Sequence, residues 1–360
     1  MAVKDFKFKV ARIDKPFSIE TIEWTLPELR PDEVLVRVLA CAVCTSEQGV
    51  FKGERVRAFP NYLGHEISAE VVEVGSEVLQ DLKPGDHVAV NRMNRCEQCS
   101  NCRRYRDNRC LNGRKMLRPG RPPGPAGFAQ YMAVPSAHVF KFAPGVDKMA
   151  SSLTEPVACC ISSIDKGNIQ FGDDVVVVGA GVMGLIHVKL AKLRGARVIV
   201  SEVDEKRQQF AREWGADDIA DPSNFHESVM ELTKGKGVES IYVTGGPTKI
   251  VPDLMSACVQ GGTVVIYTSY YGDRGGAVPI DLNFIHYSEV NLTGTISPKK
   301  FDFQRAVNLQ NNHAIPLEKL VQKVYPFEEI QAAFEHSIVP GTYRIVVDIG
   351  SSTSDGFVGQ

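Results

Sequence analysis

Residues 173–204, DDVVVVGAGVMGLIHVKLAKLRGARVIVSEVD, decide the fold. Val175–Val178 form an unbroken apolar run with no polar face, the pattern of a parallel strand covered on both sides. The apolar residues that follow recur at helical spacing, and a second apolar strand begins near Arg197. Between the first strand and the helix stand Gly179, Gly181 and Gly184 in the pattern G-x-G-x-x-G. Glycine there permits a tight turn, lets the backbone approach a pyrophosphate and lets the helix pack closely on its strand. Val182 and Met183 open the helix, whose first N–H groups and positive dipole end favour phosphate. Glu202 ends the second strand, where an acid accepts hydrogen bonds from ribose hydroxyls. The unit therefore predicts a dinucleotide site. NAD is preferred over NADP because Glu202 repels a 2′-phosphate, a repulsion that Arg207 offsets in part.

The strand–helix alternation continues through GVESIYVTGG (237–246), a helix around IVPDLMSACV (250–259) and GTVVIYT (262–268), whose last residue, Thr268, is a further candidate cofactor contact. This predicts one doubly wound α/β domain over 157–295. Towards the N-terminus the pattern is different. DEVLVRVLACAV (32–43), GHEISAEVVEVG (64–75) and GDHVAV (85–90) are short, half-alternating and bounded by turn residues, the signature of a mainly-β region. Residues 91–127 are basic and cysteine-rich and lack hydrophobic periodicity, which predicts a protruding lobe. The tail holds two amphipathic helices, near 301–312 and 327–337, and the strand YRIVVDIG (343–350), and is expected to pack with the first region. The expected domains are thus 1–156 with 296–360, and 157–295 between them.

A chain of 360 residues exceeds what one core usually supports, in keeping with two domains. Its charged fraction of 23% and net charge of −2 give no electrostatic reason to expect nucleic acid or an anionic membrane. No apolar stretch is long enough to cross a bilayer, and the charged start MAVKDFKFKV lacks signal-peptide character, so a cytoplasmic location is expected.

The chain has nine cysteines, six of them before residue 111. Cys96, Cys99, Cys102 and Cys110 make C-x2-C-x2-C-x7-C, a spacing that closes a tetrahedral thiolate shell around structural zinc and leaves no position for substrate. An iron–sulfur cluster fits the spacing less well. A second, dispersed set comprises Cys44, His65 with Glu66, and Glu155; a mixed thiolate, imidazole and carboxylate site can keep a position open. Each of these residues alone reads as easily as buried packing. Cys41, Cys159, Cys160 and Cys258 read as small buried residues in apolar surroundings.

The strings CAVCTSE (41–47), GHE (64–66), the cysteine quartet, GFAQY (127–131), EPVA (155–158) and GAGVMG (179–184) stand in the order found in zinc-dependent medium-chain alcohol dehydrogenases, which the chain resembles over nearly its whole length. Glu155 in place of a third cysteine makes it most similar to the polyol branch, with sorbitol and threonine dehydrogenases. The resemblance implies a GroES-like catalytic domain beside the Rossmann domain, two zinc ions per chain, NAD, and a homodimer or homotetramer. It implies that Cys44 and His65 ligate catalytic zinc with either Glu66 or Glu155. It also implies that Ser46 relays a proton, that Glu47, at an aspartate position, orients the ligand histidine, and that Arg344 reaches the pyrophosphate.

The implied reaction is reversible oxidation of a secondary alcohol of a polyol, sugar alcohol or sugar acid to a ketone. Departures from the family pattern bear on substrate. Gly49 replaces a histidine that often completes the relay, and Ser297 replaces an arginine near substrate in sorbitol dehydrogenases. Arg92 and Arg95 fall in the stretch bordering the pocket, so a carboxylate, phosphate or sulfonate on the substrate is a second expectation. Those two, with Arg114, Arg118, Arg121, Lys299 and Lys300, read equally as solvated surface charge. The ligand set and lobe argue against a zinc-free reductase, retention of Cys44 and His65 against a non-catalytic nucleotide-binding adaptor, and the net charge against a zinc-finger nucleic-acid binder.

Overall fold

The computed structural model describes residues 6–353 except 27, 56, 57, 117, 119 and 271–274. Two compact units emerge, Met1–Pro156 with Lys299–Gln360, and Val157–Pro298.

In the first unit the strands β1 (Lys7–Lys15) and β2 (Ser18–Thr25) form an antiparallel hairpin. The centre of the larger sheet is β3 (Glu33–Ala42), in which nine of ten residues are buried. Its density of valine and leucine follows from its position, since it pairs antiparallel with β4 (Glu66–Val74), β6 (Tyr131–Pro135) and the C-terminal strand. Each such side chain contributes roughly 1.5–3 kcal/mol on burial. Helix α1 (Thr45–Phe51) follows β3 directly. β5 (His87–Val90) pairs with β4 and with β7 (Val139–Lys141). Among the described residues, the lobe after β5 contains the one-turn helix α2 (Ser100–Arg103) and 3-10 turns at Asp107–Arg109 and Gly113–Met116. Helix α3 (Thr154–Gly167) carries the chain across the boundary between the units.

The second unit runs β8 (Asp174–Val178), α4 (Val182–Leu193), β9 (Arg197–Ser201), α5 (Glu205–Glu213), β10 (Asp218–Ala220), α6 (Phe225–Leu232), β11 (Val238–Val243), α7 (Val251–Ser256), β12 (Cys258–Ile266), α8 (Leu282–Ser288) and β13 (Asn291–Gly294). The six strands are parallel in the order β10-β9-β8-β11-β12-β13. The order reverses between β8 and β11, and ligands of such sheets bind beyond the strand ends at that switch point.

The chain then returns to the first unit through α9 (Lys300–Asn311), β14 (Val321–Pro326), α10 (Ile330–Ser337) and β15 (Arg344–Asp348). β15 pairs antiparallel with β3 (Val346 opposite Ala42), so the end of the chain is built into the same sheet as residues 33–42. This is a Rossmann sheet accompanied by a mainly-β unit with an irregular cysteine lobe. No helix among the described residues is long and apolar enough to cross a membrane.

Candidate active site

Three side chains from two segments converge in the first unit. Cys44 caps α1, His65 precedes β4 and Glu66 begins it, and their ligand atoms lie within 4.8 Å of one another. Gly64 makes the approach possible. It has φ +100°, and a Cβ there would stand 2.6 Å from Phe128 N and 2.9 Å from Cys41 Sγ.

Glu47, on the first turn of α1 and 2% exposed, organises the group. One carboxylate oxygen meets His65 Nδ1 at 2.6 Å and accepts the Gly64 N–H at 3.1 Å, while the other accepts the Ser46 hydroxyl at 3.1 Å. Burial alone pushes the Glu47 carboxyl up, but the His65 charge and these hydrogen bonds hold it below the usual range. The same pairing raises His65 well above its ordinary value against the opposing effect of burial. Burial also pushes the Cys44 thiol up, yet the His65 hydrogen bond and charge, helped by Arg344, bring it down to about 7. A thiol so placed is readily a thiolate.

Glu66 is 1% exposed, and neither of its oxygens has a hydrogen bond. Burial raises its pKa well above the carboxylate range, with Arg344 opposing and the charges of Cys44 and Glu155 reinforcing. A soft thiolate, an imidazole fixed through its far nitrogen and a carboxylate with unused lone pairs are a fitting donor set for zinc. Glu155, on the first turn of α3, stands outside the trio whose ligand atoms converge. Arg344 pairs with Glu66. It is 4% exposed, its Nη2 is 3.2 Å from Glu66 Oε1 and its Nη1 donates to Val43 O at 2.9 Å. Its guanidinium sets a positive charge beside a buried carboxylate.

The lobe brings together Cys96, Cys99, Cys102 and Cys110, all half-buried, with the same convergence of ligand atoms. Cys99 and Cys102 sulfurs are 3.5 Å apart. N–H groups of Cys96 and Cys99 and the Asn112 amide point at sulfur, at 3.2–3.4 Å. Such donors favour thiolate, and the Gln98, Asn112 and Cys99 donors bring Cys96 down to about 6.

In the second unit Gly179, Gly181 and Gly184 occupy the β8–α4 turn. Gly179 has φ +95°, and a Cβ on Gly184 would meet Gly179 O at 1.9 Å, so only glycine lets helix and strand close. Nothing lies within 4 Å of a Cβ on Gly181, leaving open space beside the first N–H groups of α4, those of Val182, Met183 and Gly184. Glu202 is 8% exposed and ties this turn to the end of β9, accepting N–H groups from Ala180, Val203 and Asp204 at 2.7–3.1 Å. Arg207 lies half-buried on α5, with its N–H held by Asp204. Thr268 follows β12, its N–H bonded to Val243 O at 3.0 Å. Ser297, in the same unit, has φ +58°.

The reading of the basic residues as solvated is corrected at several positions. Arg95 is 7% exposed and paired with Asp107, while Arg118 and Arg121 close on Glu33, which is fully buried. A buried carboxylate needs such partners. Lys300 pairs with Glu97, and Lys299 stands 4.0 Å from Asp302. The Arg114 side chain lies outside the described residues. Cys41 and Cys160 are buried, whereas Cys159 and Cys258 are only half-buried. Sequence reasoning missed the Arg344–Glu66 pair and passed over Arg55, whose side chain covers Gly49; the bare glycine was the available signal.

Comparison with known proteins agrees with this geometry. Residues 30–144 match the alcohol dehydrogenase GroES-like domain and residues 182–312 the zinc-binding dehydrogenase domain. L-threonine 3-dehydrogenase of Thermococcus kodakarensis is 30% identical over 347 residues, 92% of this chain and 94% of the relative. D-arabitol-phosphate dehydrogenase of Enterococcus avium is 28% identical, covering 91% and 93%. A zinc-binding dehydrogenase from Sinorhizobium meliloti 1021, solved with NADP bound, superposes with a TM-score of 0.84 at 29% identity over 95% of this chain and 99% of that one. With both domain families matched, and with that threonine dehydrogenase alike along almost its full length, the chain belongs to the zinc-dependent medium-chain alcohol dehydrogenases, in their polyol branch.

Proposed function

We propose that the protein oxidises a secondary hydroxyl of a polyol, sugar alcohol or sugar acid to a ketone with NAD, the pair of electrons leaving as hydride and the hydroxyl proton leaving separately. The observation that carries this reading is the convergence of Cys44, His65 and Glu66 within 4.8 Å beside the Ser46 hydroxyl. When bound, zinc supplies Lewis-acid polarisation of the substrate hydroxyl, and NAD supplies the hydride acceptor.

The chain's own residues do the rest. Cys44, His65 and Glu66 hold the catalytic ion, with Glu66 favoured over Glu155 as the direct carboxylate by its place in the trio. Glu47 fixes the ring of His65 through Nδ1, which leaves Nε2 for the metal. Ser46 accepts the substrate proton on its hydroxyl oxygen while donating its own towards Glu47. Because position 49 has no side chain, the proton continues to water rather than to a histidine. Cys96, Cys99, Cys102 and Cys110 hold a second zinc that shapes the lobe and takes no part in turnover.

NAD is favoured over NADP because Glu202 is anchored by three N–H groups and so presents a fixed negative charge at the end of β9. We further propose assembly as a homodimer or homotetramer, which sedimentation measures. Function is tested by following NAD reduction with a panel of polyols, cyclitols, sugar acids and sugar phosphates. Turnover of at least one secondary alcohol, with NAD preferred over NADP, is expected; no turnover across the panel by zinc-loaded protein contradicts the reading.

A further inference from the structure

Two arginines that the proposed mechanism does not use border the Cys44–His65–Glu66 trio within the same unit. The first is Arg92. The β4–β5 ladder ends with Ile67 opposite Val90, so one and two residues further the antiparallel register sets Asn91 by Glu66 and Arg92 by His65. Arg92 is half-buried, and two main-chain carbonyls grip it: Nε donates to Pro125 O at 2.6 Å and Nη2 to Gly124 O at 3.3 Å. It has no carboxylate partner among the described residues, whereas Arg95, Arg118 and Arg121, also drawn into this region, each have one. Burial, with Arg121 adding to it, brings its pKa down to about 10, the mark of a cation lacking its counter-charge.

The surroundings of Arg92 are short of acceptors. Asn91 is 2% exposed and its Nδ2 has no partner. His138 is 6% exposed with Nδ1 unpartnered; burial and the cations Arg92, Arg95, Lys300 and Arg118 depress its pKa to about 3. An unused amide donor and an uncompensated guanidinium in one half-buried region are what an anionic ligand group satisfies.

The second arginine is Arg55. Its N–H bonds Gly49 O at 3.1 Å, and a Cβ at Gly49 would lie 3.2 Å from Arg55 Cγ and 3.3 Å from Cδ. Gly49 shares a face of α1 with Thr45 and Ser46, one turn earlier. The absent side chain leaves room for a second arginine to lie along that face.

We propose that the substrate of this site is an anionic polyol derivative whose carboxylate or phosphate is bound by Arg92, with Arg55 as a second guanidinium on the Ser46 side. The proposal rests on the dehydrogenase reading above and names its substrate class. Guanidinium presents a planar fork of donors that matches carboxylate and phosphate, and a neutral polyol cannot discharge Arg92.

The test uses zinc-loaded enzyme with matched triplets of one sugar alcohol, its sugar acid and its phosphate ester. NAD reduction and calorimetric binding are measured for wild type, Arg92→Leu, Arg92→Lys and Arg55→Gln. An anionic member is expected to be preferred over the neutral parent by about 10-fold or more in kcat/KM, as one charge-assisted contact provides. Arg92→Leu should raise the KM for that member by about 10- to 100-fold, a larger loss than on the neutral parent, with part of the loss restored in Arg92→Lys. Arg55→Gln should have a smaller effect in the same direction. Inorganic phosphate should compete with the anionic substrate in wild type, which keeps the test decisive if Arg92→Leu does not fold. Whether the sugar acid or the phosphate ester leads identifies the group bound.

Equal or better use of the neutral parent by wild type, or an equal loss on neutral and anionic members in Arg92→Leu, overturns the proposal, because Arg92 is then only a latch on residues 124–125. Anion-selective binding that Arg92→Leu abolishes, without NAD reduction, supports the anion site and breaks the dehydrogenase reading alone.

Discussion

The two metal-binding groups of this chain are built in opposite ways. The lobe quartet, Cys96, Cys99, Cys102 and Cys110, is four like ligands from one short segment, half-buried, with backbone N–H groups aimed at sulfur. The other group is three unlike ligands, Cys44, His65 and Glu66, drawn from two segments and locked by Glu47 and Arg344. A closed shell of identical thiolates suits a fold with no regular structure of its own, for which the ion replaces a core. A mixed set on the ends of rigid elements suits chemistry, because each ligand is oriented by a different neighbour. The second group lies at the start of β4 and the start of α1, next to β3, which is buried along nearly all its length.

The largest break in this comparison is expected at the lobe. Cys102→Ser should release that zinc and lower thermal stability by several kcal/mol, while any protein that remains folded keeps most of its kcat. Equal stability of the variant and wild type, measured by thermal unfolding with zinc quantified, would remove the scaffold role. Next in size, His65→Ala that remains folded should lower kcat/KM by about 10³-fold or more, corresponding to about 4 kcal/mol of transition-state stabilisation. Steady-state NAD reduction checks it, and a loss below about 10-fold speaks against His65 as a ligand.

Acid offers a way to separate metal release from unfolding. His187, fully buried in the second unit and remote in sequence from both metal groups, has its pKa pulled by burial down to about 4. The unfolded chain takes up that proton near pH 6.5 and the folded chain does not, so stability is complete above about pH 6.5 and falls as the pH drops towards 4. The effect is about 3 kcal/mol. His187→Gln should flatten this acid limb in unfolding measured with zinc-loaded protein; an unchanged limb removes His187 as its source. Smaller still, Glu47→Gln should weaken retention of the catalytic zinc by about 10- to 100-fold and leave the lobe zinc in place. Metal content after graded chelation reads this directly, and loss of both ions together would contradict the separation.

How much of this was legible in the sequence follows the same division. The β8–α4–β9 unit and the quartet are local: residues 173–204 carry their own periodicity and glycines, and the four cysteines declare a site by spacing alone. The mixed site is non-local, and Cys44, His65 and Glu66 are individually indistinguishable from packing residues until β3 and β4 pair. Arg344 shows the limit most clearly. In sequence it is a charge at the start of a terminal strand, and its meaning changes once β15 lies against β3 and brings the guanidinium to Glu66. Glu202 was legible as an acid at the end of a strand, but not its three N–H partners, which depend on how the glycine turn folds back. The passage of Arg55 over Gly49 was equally hidden, because an absent side chain carries no signal of what will cover it.

The central claim, that turnover belongs to the inconspicuous trio and stability to the conspicuous quartet, is tested most directly by zinc content and NAD reduction measured on the same samples of wild type and His65→Ala. Wild type should hold about two zinc ions per chain and reduce NAD with its substrate, and folded His65→Ala about one zinc with no measurable turnover. His65→Ala that keeps both ions, or that reduces NAD at the wild-type rate, contradicts it.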